Sequence, residues 1–391
     1  MTTETAPSRK NNDIEILRAF AILYTVIVHF RVLLPNDSSW LIPLNYLDLS
    51  VGVDLFLVIS GFVITGSILD STRRGDTSRR PLMFSFWIKR IFRLLPAAWT
   101  WVAVACALQL LIVGITDIDY PLQDILLNTA AALGNAMNVY TPYCVASGGG
   151  QPCIIDNFLG HYWSLSLEEQ FYLIFPFLFF FLGRKSLVAL LIVAILAQFM
   201  WHRPFFTYAW HFKTDALCWG ILLALLAQTA FYRRHIPALL RYRYLAAAVG
   251  LGLLVLLPLL AANIQGIATA MKPYGVAVVA LVCAAIVWLA SYDSNVFTIG
   301  RRYRRIMLYL GSRSYSLYLA HLVMYLGTRD LLGYFGQGLS ATIGAAAFNI
   351  LHVGIALSLT LLGAELTYRF VETVLRAKGR MIAARQLPVN Q

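Results

Sequence analysis

The sequence predicts an all-α polytopic membrane protein with about ten transmembrane helices. Of its 391 residues, 59% are hydrophobic and only 13% are charged, whereas a soluble domain averages about 25% charged residues. The apolar residues also fall into long segments between polar loops, each long enough to cross a hydrocarbon core of about 30 Å. These observations exclude an ordinary soluble enzyme and argue against a nucleic-acid partner, despite the net charge of +12.

The apolar segments and the distribution of basic residues together predict the spans and their orientation. The ten predicted spans are residues 16–34, 50–69, 94–115, 163–182, 187–202, 213–230, 244–262, 274–291, 306–327 and 341–363. Basic residues favour the cytoplasmic ends of spans. If both termini are in the cytoplasm, most of the 31 Lys and Arg residues lie on the cytoplasmic side. The exceptions, on the outer side, are Arg31, Arg203, Lys213, Lys272 and Arg329.

This topology predicts three regions in the inner (plasma) membrane protein. Residues 1–15 form a cytoplasmic tail, residues 16–372 form the transmembrane domain, and residues 373–391 form a basic cytoplasmic tail.

The first predicted span carries two ionisable side chains, Arg18 and His29, at the two ends of an apolar decapeptide. An arginine at the centre of a membrane helix costs roughly 2.5–3.5 kcal/mol, so such groups are usually functional or paired. The two residues are eleven positions apart, which corresponds to about 16 Å and about three helical turns and places them roughly on one face. One helix could therefore hold the two ends of a long substrate.

The predicted orientation brings six ionisable side chains from five spans to one depth in the outer half of the membrane: His29, Asp54, Glu168, Glu169, Asp215 and His321. Their concentration predicts a polar, water-accessible pocket. Each also has a structural interpretation, because a lone histidine can be a packing residue and Asp54 can be a charge at a helix N-terminus. The adjacent glutamates point about 100° apart, so they cannot both face one point.

Three arginines gather at the predicted cytoplasmic side, namely Arg18, Arg90 and Arg93. Arg90 and Arg93 are three residues apart and share a helical face. Adjacent guanidinium groups suit phosphate, which arginine binds in a bidentate manner. The alternative is that they are ordinary anchors that extend toward lipid head groups.

The longest predicted outer loop contains Cys144 and Cys153. Two cysteines in an extracytoplasmic loop can form a disulfide, and the alternative is two free thiols. No metal-ligand spacing occurs in the sequence, so we predict no metal site.

Several segments form a series of motifs in a fixed order. Arg18 and His29 give an arginine, ten residues and a histidine, and Arg90, Arg93 and Pro96 fit R-x-x-R-x-x-P. The other segments are GVDLFLVISGF (52–62), HYWSLSLEEQFYLIFP (161–176), DALCWGILLALL (215–226), YSLYLAHLVM (315–324) and YRFVE (368–372). Together they resemble the acyltransferase 3 family of integral membrane acyltransferases over almost the whole chain. We expect the stand-alone branch of that family, without an SGNH-type domain.

The resemblance implies an O-acyltransferase that moves an acyl group, most commonly acetyl, from cytoplasmic acyl-CoA to a hydroxyl of a surface carbohydrate such as O-antigen or exopolysaccharide. Acyl-CoA is then a co-substrate, and no cofactor is bound permanently. The expected partners are membrane lipid, acyl-CoA and a glycan or glycolipid acceptor. Lys213 stands where the family pattern leads us to expect arginine, which bears on the choice of acceptor.

In the predicted mechanism, His29 is the general base, because imidazole titrates near neutral pH. Glu168 or Glu169 orients it or holds the acceptor, and Ser60, Ser166 or Tyr172 could stabilise the oxyanion. A route through an acyl-His29 intermediate is equally open. The acceptor pocket is expected to include Asp54, Ser60, Tyr172, Lys213, Asp215 and His321, and the donor site Arg18, Arg90 and Arg93.

Two other functions remain open from the sequence. One is an acyltransferase that acts on a small secreted product such as a macrolide. The other is a transporter or flippase, because polar residues at membrane depth also mark transport paths.

Overall fold

The computed structural model describes residues 10–35, 38–73, 78–154, 156–266 and 273–386. Across these ranges the chain is helical and contains no strand, in agreement with the predicted all-α class. The outermost parts of both predicted tails lie outside the described residues, as does Lys272.

The described chain forms the following α-helices: α1 (Asn12–Val28), α2 (Ile42–Asn45), α3 (Val51–Arg73), α4 (Arg79–Ile115), α5 (Leu122–Leu133), α6 (Met137–Ala146), α7 (Gln151–Ile154), α8 (Tyr162–Phe181), α9 (Arg184–Phe199), α10 (Tyr208–His211), α11 (Thr214–Ala227), α12 (Ala230–Arg234), α13 (Arg243–Gly266), α14 (Gly275–Ser291), α15 (Arg301–Ser312), α16 (Ser314–Phe335), α17 (Gln337–Ile343), α18 (Ala345–Leu366) and α19 (Thr373–Arg385). The 3₁₀ turns are His29–Val32, Ser39–Leu41 and Ala238–Arg241, and a π segment, Thr367–Glu372, joins α18 to α19.

Each of the ten predicted spans overlaps at least one of these helices. Four helices in the described ranges are long and apolar enough to cross a membrane: Val51–Arg73, Arg79–Ile115, Arg243–Asn263 and Ala345–Arg385. The membrane character therefore holds for these four, whereas ten spans with both termini in the cytoplasm stay a prediction.

Two of the predicted segments have internal structure that the sequence did not indicate. The ninth span, 306–327, is divided at Arg313, where α15 ends and α16 begins. The basic helix α15 packs against α1 and is a separate element. The described part of the predicted C-terminal tail forms the helix α19, which packs along α4.

Two helices are longer than a bilayer requires. One is α4, and the other is the continuous helix formed by α18, the π segment and α19. They have 37 and 41 residues, which correspond to about 55 and 60 Å against a hydrocarbon core of about 30 Å. They run antiparallel: Trp101 Nε1 donates to Thr367 Oγ1 at 2.9 Å, and further along Gly379 faces Phe92. Their contact thus extends from the apolar parts of both helices to their basic ends.

The π segment adjusts which face of α19 meets α4. In a regular α-helix, positions sixteen residues apart end about 160° apart around the axis, so Gly363 and Gly379 would not face the same neighbour. A π segment closes i→i+5 hydrogen bonds and holds more residues per turn, which changes this angle. Both glycines face α4, since a Cβ on Gly363 would lie 2.8 Å from the Trp101 ring and one on Gly379 would lie 2.4 Å from the Phe92 Cβ.

Much of the interior of the bundle is built by α1, α3, α8, α11, α14 and α16. Buried apolar side chains from these helices contribute to three packed clusters. The middle of α16 is completely enclosed, because Leu319, Ala320 and Val323 have no exposed surface. Polar groups on the same stretch, above all His321, are therefore held in fixed positions.

Candidate active site

Three histidines meet where α1, α8 and α16 converge. His29 is the first residue of the 3₁₀ turn that follows α1, His161 directly precedes α8, and His321 lies in the middle of α16. The ring centroid of His321 lies 4.9 Å from that of His29 and 5.1 Å from that of His161. The structure therefore brings together two predicted site residues, His29 and His321, and adds His161.

Backbone carbonyls determine which nitrogens of this cluster carry protons. His29 Nδ1 lies 2.7 Å from the Thr25 carbonyl oxygen, and His321 Nδ1 lies 2.6 Å from that of Tyr318. A carbonyl oxygen can only accept, so both Nδ1 atoms are the donors. The single Nδ1 hydrogen of His29 is donated to the Thr25 carbonyl, and His321 Nε2, 3.3 Å from His29 Nδ1, accepts the same hydrogen as the longer arm of a bifurcated bond. In the neutral ring this leaves the lone pair of His29 on Nε2, which is the requirement for a general base.

His161 differs from the other two histidines, because neither of its ring nitrogens makes a hydrogen bond of normal geometry in the described structure, although the Leu319 backbone is close to the ring. Its side chain is buried, with 4% of its surface exposed. A buried polar group without a partner costs about 1–3 kcal/mol and is rare in native structures. Since His161 lines a cavity, a ligand in that cavity could supply the missing partner.

His29 and His161 line a cavity of about 600 Å³, which we call the histidine cavity. Its wall also contains Trp163 and His211, whose rings meet edge to face with centroids 5.0 Å apart. Such a volume is typical of small-molecule sites. The remaining residues of the wall are Val28, Arg31, Val32, Leu34, Pro35, Thr141, Cys153, Ile154, Gly160, Phe206 and Leu322.

The predicted disulfide lies beside this cavity. The structure joins Cys144 and Cys153 in a disulfide, and Cys153 is part of the wall. The disulfide closes a short loop between α6 and α7 and so fixes one edge of the histidine cavity.

The three predicted arginines line a second, smaller cavity of about 80 Å³, which we call the arginine cavity. Arg90 lies over the rings of Phe86 and Tyr172, at 5.5 Å from each centroid. The Nε atom of Arg93 is buried without a hydrogen-bond partner. Arg18 contacts Glu15 Oε1 at 3.4 Å. The cavity therefore collects positive charge that is only partly neutralised, which suits an anionic ligand.

The rings of Tyr318 and His161 lie between the two cavities, with their centroids 5.3 Å apart. Tyr318 and Ser164 line the arginine cavity, and His161 lines the histidine cavity. The Tyr318 hydroxyl donates to the His161 carbonyl oxygen at 2.6 Å, so it accepts from Ser164 Oγ, also at 2.6 Å. Tyr318 thus closes the space between the arginines and the histidines.

The two adjacent glutamates have different surroundings, as their predicted angular separation requires. Glu168 lines the arginine cavity and accepts hydrogen bonds from Ser60 and Tyr172. Glu169 is not in that wall, and its Oε1 atom is buried without a partner. Among the described contacts, neither glutamate hydrogen-bonds to His29; the Thr25 carbonyl and His321 orient its ring instead. Ser60 and Tyr172 accordingly belong to the arginine cavity.

Three residues that were expected to line the acceptor pocket form buried ion pairs. Lys213 Nζ lies 3.1 Å from Asp54 Oδ2, and Arg203 Nη2 lies 2.6 Å from Asp215 Oδ2. All four side chains are almost completely buried, and none is in the wall of the histidine or arginine cavity. Residues predicted to lie at similar depth can face different neighbours, and here Lys213, which directly precedes α11, and Asp215, in its first turn, lie outside the walls of both cavities. Ser166 also lies outside the walls of both cavities, and its Oγ accepts a hydrogen bond from the Met137 amide at 3.2 Å.

Sequence reasoning missed His161 and the Thr25 carbonyl. His161 is the first residue of the segment HYWSLSLEEQFYLIFP, so its place in the most specific motif was the available signal. A backbone carbonyl has no sequence signal of its own, although Thr25 lies one helical turn before His29.

The comparison with known families agrees with the order of the motifs. The family model described as an acyltransferase domain matches residues 11–369, which is nearly the whole chain. The chain belongs to the acyltransferase 3 family. No solved structure matches it.

Curated relatives of this chain include O-acetyltransferases. The O-acetyltransferase OatA of Staphylococcus aureus strain NCTC 8325 is 25% identical over an aligned length of 392 residues, and the protein of the same name from strain COL gives the same values. Each alignment covers 93% of this chain and 57% of the relative. The chain thus spans a little over half the length of these relatives.

Proposed function

We propose that this protein is a membrane O-acyltransferase that moves an acetyl group from cytoplasmic acetyl-CoA to a hydroxyl of a cell-surface carbohydrate. The observation that carries the proposal is the placement of two different cavities on either side of Tyr318. One contains guanidinium groups with incomplete anionic partners, and the other contains an oriented imidazole and enough space for a sugar.

The arginine cavity suits the donor. Acyl-CoA has several phosphate groups at one end and a thioester at the other, and guanidinium groups bind phosphate strongly. With its phosphates near Arg90 and Arg93, its arm would extend past Glu168 and Tyr318 toward His29. This use of the site requires Tyr318 to move, because its hydroxyl now bridges Ser164 and the His161 carbonyl.

The histidine cavity suits the acceptor and the chemistry. His29 Nε2 takes the proton of the acceptor hydroxyl as its oxygen attacks the thioester carbon. The new C–O bond forms, the C–S bond breaks, and the proton passes from the imidazolium to the departing CoA sulfur. His161, whose ring nitrogens have no partner, would contact either the acceptor or the oxyanion of the tetrahedral intermediate.

The alternative route uses the same residues in two steps. His29 Nε2 attacks the thioester first and forms an acyl-imidazole, which the acceptor hydroxyl then attacks. The two routes differ in one measurable way, because only the second transfers label to the protein in the absence of acceptor.

The test is acyl transfer by the purified protein in proteoliposomes, with radiolabelled acetyl-CoA on the arginine side. We expect label on a polysaccharide or lipid-linked sugar acceptor and none with protein-free vesicles. Label on a macrolide and not on a carbohydrate would show that the acceptor is a small secreted product. Movement of a solute across the bilayer without any transfer of label would contradict the proposal and favour a transporter.

A further inference from the structure

A third cavity lies between α3, α4 and α19, and we call it the helix-19 cavity. It has a volume of about 170 Å³ and shares Arg90 and Arg93 with the arginine cavity. Its other cationic residues are Lys89 from α4 and Arg376 and Arg380 from α19. None of the described residues in its wall is acidic.

Packing of α19 brings its two arginines to this place. Arg376 and Arg380 are four residues apart and so lie on one face of the helix. Gly379 and Ala383 complete the same face and are buried against the neighbouring structure. A Cβ on Gly379 would lie 2.4 Å from the Phe92 Cβ, so the glycine permits an approach that a larger residue would prevent.

The charges around the cavity repel one another in the absence of a ligand. Arg93 is within electrostatic range of both Arg376 and Arg18, and its Nε atom is buried without a hydrogen-bond partner. Glu372 also acts on Arg93, but its carboxylate accepts a hydrogen bond from Ser316 Oγ at 3.0 Å. Four arginines around one small cavity therefore indicate a ligand with more than one negative charge.

We propose that the helix-19 cavity binds the phosphate groups of the donor nucleotide and that Arg376 and Arg380 are donor-binding residues. This inference depends on the proposed function, which supplies acyl-CoA as the donor. Both arginines lie beyond residue 369, where the match to the family model ends. The arginine cavity then holds the section of the donor between its phosphates and its thioester.

The same phosphate chemistry occurs in anionic lipid head groups, and the experiment must separate the two sources. We would measure binding of CoA and of 3′-dephospho-CoA to the purified full-length protein in neutral phosphatidylcholine vesicles and in vesicles that also contain phosphatidylglycerol. The variants are Arg376→Ala, Arg380→Ala and their combination. Lys378→Ala is the matched control, because it removes one exposed cation from the same helix outside the cavity wall.

We expect the double variant to weaken CoA binding about ten- to hundredfold in both kinds of vesicle, and Lys378→Ala to have little effect. Arg376→Lys should bind more tightly than Arg376→Ala but less tightly than the unmodified protein, because lysine keeps the charge and loses the bidentate geometry. The double variant should lose less affinity for 3′-dephospho-CoA than for CoA, since that ligand has one phosphate fewer. Unchanged melting temperatures would show that the variants are folded.

Two results would overturn the inference. One is unchanged CoA affinity in the double variant while Arg93→Ala weakens binding. This result would exclude α19 from the donor site and leave the proposed function in place. The other is a defect that appears only when phosphatidylglycerol is present, which would assign the cavity to a lipid head group. Absence of CoA binding by the unmodified protein would contradict the proposed function itself.

Discussion

Two sets of buried ionisable side chains in this protein differ in their counter-charges and in their access to a cavity. In the first set, Asp54 and Lys213 form one ion pair and Arg203 and Asp215 form another, and all four are enclosed away from the histidine and arginine cavities. In the second set, Arg93 and His161 line cavities and have buried nitrogen atoms without partners. The first set also has two buried atoms without hydrogen-bond partners, Asp54 Oδ1 and Arg203 Nε, but each of its charges has an opposite charge beside it and none lines either cavity. A counter-charge inside the protein therefore indicates a structural role, whereas an unpartnered polar atom in a cavity wall indicates a ligand.

The largest expected effect is the loss of acyl transfer in His29→Ala. General-base catalysis contributes about 10²- to 10⁴-fold to a rate, and the Thr25 carbonyl and His321 orient this imidazole for that role. The rate is measured with radiolabelled acetyl-CoA in proteoliposomes. The control is unchanged expression, insertion and CoA binding of the variant; transfer at nearly the normal rate would exclude His29 as the base.

Substitutions in the first set should change the stability of the protein and not the rate of acyl transfer. Removal of one partner of a buried ion pair costs about 3–5 kcal/mol, because the other charge stays buried. We therefore expect Lys213→Met to lower the thermal midpoint of the detergent-solubilised protein substantially. Addition of Asp54→Leu should restore it, since apolar replacement of a whole buried pair is often neutral or stabilising.

Activity decides whether this pair is separate from the site. The double variant Asp54→Leu, Lys213→Met should transfer acetyl groups at a rate per folded molecule close to normal. A stable but inactive double variant would indicate that Asp54 and Lys213 belong to the acceptor pocket, as the sequence predicted.

The sequence could predict these groups but not their separation into two sets. Hydrophobic segments and motif order indicated the all-helical membrane class, the first helix with Arg18 and His29, and the arginine cluster. Depth alone, however, placed Asp54 and Asp215 with His29, because depth follows from distance along a helix while facing direction depends on packing between helices. The same limit hid Arg376 and Arg380, which reach the arginines only because a π segment and Gly379 set the face of α19 against α4.

A smaller effect is expected at Arg93 in the second set. Arg93→Ala removes a guanidinium group whose Nε atom has no protein partner. Its loss should therefore weaken CoA binding more than it lowers the stability of the fold. Hydrogen bonds to charged groups contribute about 1.5–3 kcal/mol, which corresponds to a ten- to hundredfold rise in the Kd of CoA. Equilibrium binding measures this, with Arg80→Ala as the control on an exposed part of the same helix. Equal affinities for the two variants would remove Arg93 from the donor site.

The smallest effect concerns the wall between the two cavities, which makes Tyr318 the link between the arginines and the histidines. Tyr318→Ala should open the arginine cavity to water from the histidine cavity, whereas Tyr318→Phe keeps the ring and loses only the hydrogen bonds to Ser164 and His161. We expect Tyr318→Ala to raise the release of CoA thiol in the absence of acceptor by a few-fold, because water then reaches the thioester and yields acetate and CoA. A thiol reagent measures the release, with protein that carries His29→Ala as the background. If the phenylalanine and alanine variants release CoA equally slowly, Tyr318 does not separate donor from water, and the donor must reach His29 by another path.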